Sequence, residues 1–220
     1  MTTWVEESGG GRDRGPRAVL RAWLEVLLRP RRFFRTGVAP GDQAPGLVFA
    51  MAVTAVASAT HLATRPEYAT GVGSSPAASL LLVFLLYVVV VGPVLLHLIA
   101  AVQTILLRAL VQDRGGVSET VQVLAYATAP CVLAGLPVPA LRVVVAIWGA
   151  VLLVIGTVTV HNASVGQAVA VAAVPAILVF GYAFGGIEAG RTLVEQLLHP
   201  DDPAGQRPGT PTTTSGLQRS

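Results

Sequence analysis

The chain has no lysine; all 15 of its basic residues are arginine, and they face only 12 acidic ones for a net charge of +3. Charged residues fill 12% of the 220 positions and hydrophobic ones 53%, too apolar a mixture for a soluble domain of this length. So small and local an excess of positive charge gives no expectation of a nucleic-acid partner. The single cysteine, Cys131, excludes an internal disulfide and a thiolate metal site. No acidic residue falls between Thr120 and Ile187, and the chain contains no His-Glu-x-x-His, no Gly-x-Ser-x-Gly and no phosphate loop. A proton-coupled pump or an intramembrane metalloprotease needs a buried carboxylate or paired ligands, so no enzymatic activity, metal or cofactor is expected. No secretory signal is visible, because the first sustained apolar run begins only after Ala44.

Long uncharged runs take the place of those features. The fold class they predict is all-α: a polytopic membrane protein with five transmembrane helices and an N-terminal interfacial amphipathic helix. The first span, near residues 45–63, lies between Asp42 and Arg65 and carries Ala55, Ala59 and Ala63 on a small-residue ridge suited to helix packing. The second, near 78–102, sits in an uncharged run from Ala77 to Leu107, too long for an upright crossing and carrying Gly92-Pro93 as a kink. Its sixteen Leu, Ile, Val and Phe residues between Leu80 and Ile99 sum to about −8 kcal/mol of insertion free energy. The fourth and fifth spans fall near 143–160 and 168–187. Gly149 and Gly156 align on the fourth. On the fifth, Gly181 and Gly185 have small-residue spacing.

The third span, near 120–136, is the weakest. Six large aliphatic residues supply roughly −3 kcal/mol before Gln122, two threonines and Pro130 are subtracted, so this segment must lean on its neighbours. Within it, Pro130 removes a donor one turn after Tyr126, which brings a hydroxyl to mid-helix depth. That pair is either a functional site or a kink that lets another helix pack closely. Gln103, Thr104, Gln122 and Thr128 are read as interhelical glue or as a polar route. His61, His97 and His161 fall near different span ends and are not expected to share a site.

Outside the spans, residues 1–15 have the glycine and charge content of a disordered tail, and 188–220 read as a short helix followed by another. Eight of the 15 arginines lie in the first 35 residues. Residues 16–35 form the interfacial helix of this reading, with Arg29, Arg31, Arg32 and Arg35 at the lipid headgroups and Phe33 and Phe34 as anchors. The arginine distribution orients the chain in the cell membrane with its N-terminus cytoplasmic and its C-terminus outside.

Two stretches carry a family likeness. Trp23-Leu-Glu-Val-Leu-Leu-Arg-Pro-Arg-Arg-Phe-Phe34, with a proline followed closely by aromatics, resembles the start of prokaryotic proteins with a Yip1 domain. Val117-Ser-Glu-Thr-Val-Gln-Val-Leu-Ala-Tyr-Ala-Thr-Ala-Pro130 is similar to the opening of that family's third span, where a tyrosine is followed four residues later by proline. The likeness covers residues 17–187 and marks Pro30, Phe33, Phe34, Tyr126 and Pro130 as signature positions with a structural or partner-binding role. It implies a membrane protein whose eukaryotic relatives take part in vesicle traffic with small Rab-type GTPases. The eukaryotic Asp-Leu-x-Gly-Pro is replaced here by Asp42-Gln-Ala-Pro-Gly46, so the resemblance gives no ground for expecting GTPase binding. The expected function is a non-enzymatic scaffold that meets the lipid bilayer, other membrane proteins or a second copy through small-residue faces; the alternative is a small permease or channel built on proline-broken helices.

Overall fold

The computed structural model describes residues 15–198, and the two predicted tails lie largely outside them. Every regular element among the described residues is helical. We number them α1 (Pro16–Leu28), α2 (Pro30–Gly37), α3 (Ala44–Thr64), α4 (Pro76–Leu110), α5 (Val117–Ala127), α6 (Pro139–His161), α7 (Val165–Ala183) and α8 (Gly186–Leu198). Among the described residues, four helices, α3, α4, α6 and α7, are long and apolar enough to cross a membrane.

Contacts between elements define two ends of the bundle. At the near end, Gly115 lies against His161, Gly46 against Gln122, and the Gln167 side chain donates to the Leu110 carbonyl at 2.7 Å. At the far end, Gly135 lies against Ala57 and Thr60, and Gly185 against Arg142. The segment expected as a single helix over 120–136 therefore runs from one end to the other, but in pieces. Its α-helix begins at Val117, with Gly116 at the N-cap, and stops at Ala127; a 3-10 turn, Ala129–Leu133, follows. Pro130 is the cause, since it has no N–H for the α ladder and suits the first turn of a new helix. The segment's weak lipophilicity is matched by its surroundings: every residue from Thr120 to Cys131 is buried.

Non-helical backbone at this depth must find partners for its carbonyls inside the protein. Thr128 Oγ1 donates to Ala125 O (2.7 Å), Trp23 Nε1 to Ala129 O (2.7 Å), and Arg142 to Ala134 O (3.0 Å) and Leu136 O (3.3 Å). The broken helix is thus stitched by three side chains, two of them from other helices.

The other prolines act differently. Before Pro93, α4 widens into a π-helical segment, Leu86–Val91, in which the Gly92 N–H reaches back five residues to the Tyr87 carbonyl. A wide turn makes room for the ring that would otherwise strike the preceding turn, so α4 continues unbroken for 35 residues through Gly92-Pro93. Pro175 sits inside α7, whose last part, Ile177–Ala183, is also π-helical. Gly185, at φ +71°, ends the element, so the fifth predicted span stops before 187, and Gly185 serves a turn instead of a packing ridge. Asn162 (φ 49°) and the Ser164–Gln167 capping box make the tight turn between α6 and α7.

Small residues do pack helices, but not all of those expected. Gly149 faces the Phe180 ring, and Gly156 faces Val123 and Phe34. On α3, Ala59 and Ala63 point outward, while Gly46, Ala50, Val53 and Ala57 form the buried face.

Candidate functional site

The predicted N-terminal helix is two helices with a break at Arg29, whose φ of −140° and ψ of 56° leave the helical region just ahead of Pro30. The α1 face made of Ala18, Ala22 and Val26 is buried while Arg17 and Arg21 are exposed. Eight residues suffice for α2 to divide its side chains sharply: Phe33, Phe34 and Gly37 are buried, and Arg31, Arg32 and Arg35 are exposed, as is Arg29 before them.

This placement corrects the reading of the two phenylalanines. They are at most 1% exposed and anchor the segment in the protein's own core instead of in lipid. Phe33 meets the Tyr126 ring edge-on at 4.8 Å between centroids, Phe49 meets the same ring at 5.1 Å, and Phe34 lies 5.8 Å from Phe33. Edge-to-face pairs at these spacings add to the area term of burial. Gly37 leaves space for the Phe33 ring, where a Cβ would come within 3.0 Å. The Gln122 amide then clamps the following residue, donating to Ala39 O at 2.7 Å and accepting from Ala39 N at 3.1 Å. Five signature positions and four arginines are thus brought into one construction. Phe33, Phe34 and Tyr126 form the lock, Pro30 starts its helix, Pro130 opens the broken segment beside it, and the arginines stand on its outer edge.

Sequence reasoning missed Trp23, Gln122 and Phe49 as parts of this lock. Trp23 and Gln122 carried a signal: each is a polar-tipped side chain in an apolar stretch, and such groups need a partner when buried.

The far end holds a cavity of about 410 Å3 between α3, α4, the residues flanking the 3-10 turn (Thr128, Ala134 and Gly135) and the end of α7. Both π-helical segments line it, through Tyr87 and Val91 on one side and Val179 and Tyr182 on the other. His61, Arg142 and Glu188 stand around its polar part. The expected dispersal of the histidines matches the geometry: His61 is at the far end, His161 at the near end, and His97 is engaged with the Pro93 carbonyl at 2.7 Å on an exposed face. No group of three metal-ligating side chains occurs among the described residues. Gln103 Nε2 donates across to Thr157 Oγ1 of α6 (3.2 Å), which fits interhelical glue, whereas Thr104 Oγ1 turns back to Ala100 O of its own helix (2.7 Å).

The family model described as the Yip1 domain matches residues 24–187, taking in the aromatic cluster, the broken segment and the cavity lining up to Gly185. Comparison with curated proteins and with solved structures finds no significant match.

Proposed function

Because the chain belongs to the Yip1 domain family, we propose that this multi-pass membrane protein is a non-enzymatic scaffold, offering partners a basic surface held rigidly against its own bundle. It crosses the membrane five times, with α5 and its 3-10 extension making the third passage. The near end is cytoplasmic, where Arg29, Arg31, Arg32, Arg35, Arg108 and Arg114 outnumber the Arg65, Arg142 and Arg191 of the other side. The cell membrane is the proposed location, with the C-terminus outside.

One observation supports the scaffold reading above the rest: α2 buries both phenylalanines, which fixes the direction in which its arginines point. A mobile tail binding the same partner would lose more conformational entropy than a surface already ordered. The permease alternative is less well supported, because Tyr126, Phe33, Phe34 and Phe49 fill the bundle where a route from the cavity to the near end would run. Deleting residues 16–35 would unpack that aromatic cluster, so the cleaner test replaces Arg29, Arg31, Arg32 and Arg35 together by glutamine. In-cell crosslinking of the tagged protein should then lose neighbours recovered with the native chain, while membrane insertion is unchanged. Identical recovery from both would count decisively against a basic docking surface.

A further inference from the structure

The far-end cavity combines a buried cation, a ring of tyrosines and an apolar slot that continues onto the lipid-facing surface. From this we infer that it is a binding site for a single phospholipid of the outer-end leaflet, phosphate on Arg142 and headgroup cation on Glu188.

The slot comes from the way α4 and α7 diverge. Their near-end halves, 92–110 and 165–176, pack together, whereas the π-helical halves stand on opposite walls of the cavity. Between those walls Leu95, Leu96 and Ile99 also line the cavity. Leu86, Val90 and Leu178, on the same π-helical segments, are exposed outward, so an acyl chain can enter from the side without crossing polar surface.

The polar end is built around Arg142, which is only 6% exposed although it lines the cavity. Two of its five N–H donors are engaged, by the Ala134 and Leu136 carbonyls. Among the described residues no carboxylate lies within ion-pairing distance of its guanidinium. An arginine buried at a membrane boundary with donors to spare is costly unless an anion meets it, and a phosphate suits its forked geometry. Glu188, by contrast, is exposed at the rim. A buried cation with an anion outside it is the mirror image of a zwitterionic headgroup, whose phosphate lies nearer the acyl chains than its amine does.

Depth is set by the aromatic residues. Three of the four tyrosines, Tyr68, Tyr87 and Tyr182, line the cavity and are 58%, 49% and 66% exposed. Tyrosine in such a position marks the headgroup level of a bilayer. The volume is of the size that holds small ligands, roughly 300–1,000 Å3, which fits a headgroup with the upper part of one chain.

The test is native mass spectrometry of the intact protein in detergent, titrated separately with phosphatidylethanolamine, phosphatidylglycerol, diacylglycerol and soluble glycerophosphoethanolamine. One phosphatidylethanolamine should be retained at least about tenfold more tightly than diacylglycerol, and several-fold more tightly than phosphatidylglycerol. Glu188→Gln should erase the second preference and keep the first. Arg142→Gln should abolish the first, but it also strips two carbonyls of their donor. Ser58→Phe therefore serves as the fold-preserving variant, filling the cavity from α3 and lowering retention about tenfold. Equal retention of diacylglycerol, or retention untouched by Ser58→Phe, would overturn the site. Preference for phosphatidylglycerol would overturn the headgroup assignment, and binding of the soluble headgroup as tightly as the lipid would overturn the acyl slot.

Discussion

At the near end of the bundle four aromatic rings occupy the space between α3, α5 and α6, whereas at the far end α3, α4 and the end of α7 surround a cavity of about 410 Å3. Both ends include strongly apolar helices, so hydrophobicity alone does not separate them. Backbone geometry does. Near-end closeness depends on glycines opposite large side chains, Gly156 against Phe34 and Gly46 against Gln122, and on α2 being folded back into the groove. Far-end openness coincides with two π-helical segments, each close in sequence to a proline, Pro93 in α4 and Pro175 in α7. In lipid there is little hydrophobic drive to close such a gap, because acyl chains fill it as well as leucine would.

The sharpest way to break this contrast is to empty the near end. Phe34 is 1% exposed and lies against Gly156, so Phe34→Ala leaves a void that rigid helices cannot collapse. A loss of about 4 kcal/mol is expected, in line with large-to-small core substitutions. Unfolding of the purified protein by a denaturing detergent would measure it. A loss below about 1 kcal/mol would mean that α2 is docked only loosely.

A smaller effect is expected at the far end, at the joint between α3 and the turn after α5. A Cβ at Gly135 would meet the Ala57 carbonyl oxygen and come within 2.9 Å of the His61 nitrogen, both backbone atoms that cannot rotate away. Gly135→Ala should cost about 2–3 kcal/mol as an overpacking strain. It should also change the cavity, which Ala57, Gly135 and His61 all line. If the midpoint of thermal unfolding in detergent is unaltered, the far end is more compliant than its backbone contacts imply.

Much of this architecture was legible in the sequence, and the failures share a cause. The four strongly apolar spans were readable from run length alone, since each is a long, nearly uncharged helix. The weakness of the third was readable too, because Gln122, Thr128 and Pro130 subtract from a small apolar sum. What no window along the chain discloses is who compensates for it. Trp23, Arg142 and Thr128 meet the carbonyls of the broken segment, and the first two come from other elements. Phe33 and Phe34 beside four arginines have the composition of an interfacial anchor. Tyr126 and Gly156, both more than ninety positions away, turn them inward. The cavity was illegible for the same reason: Gly92-Pro93 and His61 stood out, but their meeting depends on the divergence of α4 from α7.

The smallest expected effect links the two regions, because Trp23 belongs to the docked N-terminal segment while its partner belongs to the broken one. Trp23 Nε1 donates to the Ala129 carbonyl at 2.7 Å, immediately before Pro130. Trp23→Phe keeps most of the apolar body and removes the donor, leaving a buried carbonyl without that bond. An unmet group of this kind costs about 1–3 kcal/mol in a protein interior, while hydrogen bonds between membrane helices average about 0.6 kcal/mol. The expected loss is therefore about 1 kcal/mol, measured by the same detergent unfolding. Hydrogen exchange gives a more specific readout, since protection should fall around residues 128–134 and not in α6 or α7. If exchange is unchanged there, the N-terminal segment is held by the broken helix without supporting it in return, and the near end's tight packing owes nothing to that bond.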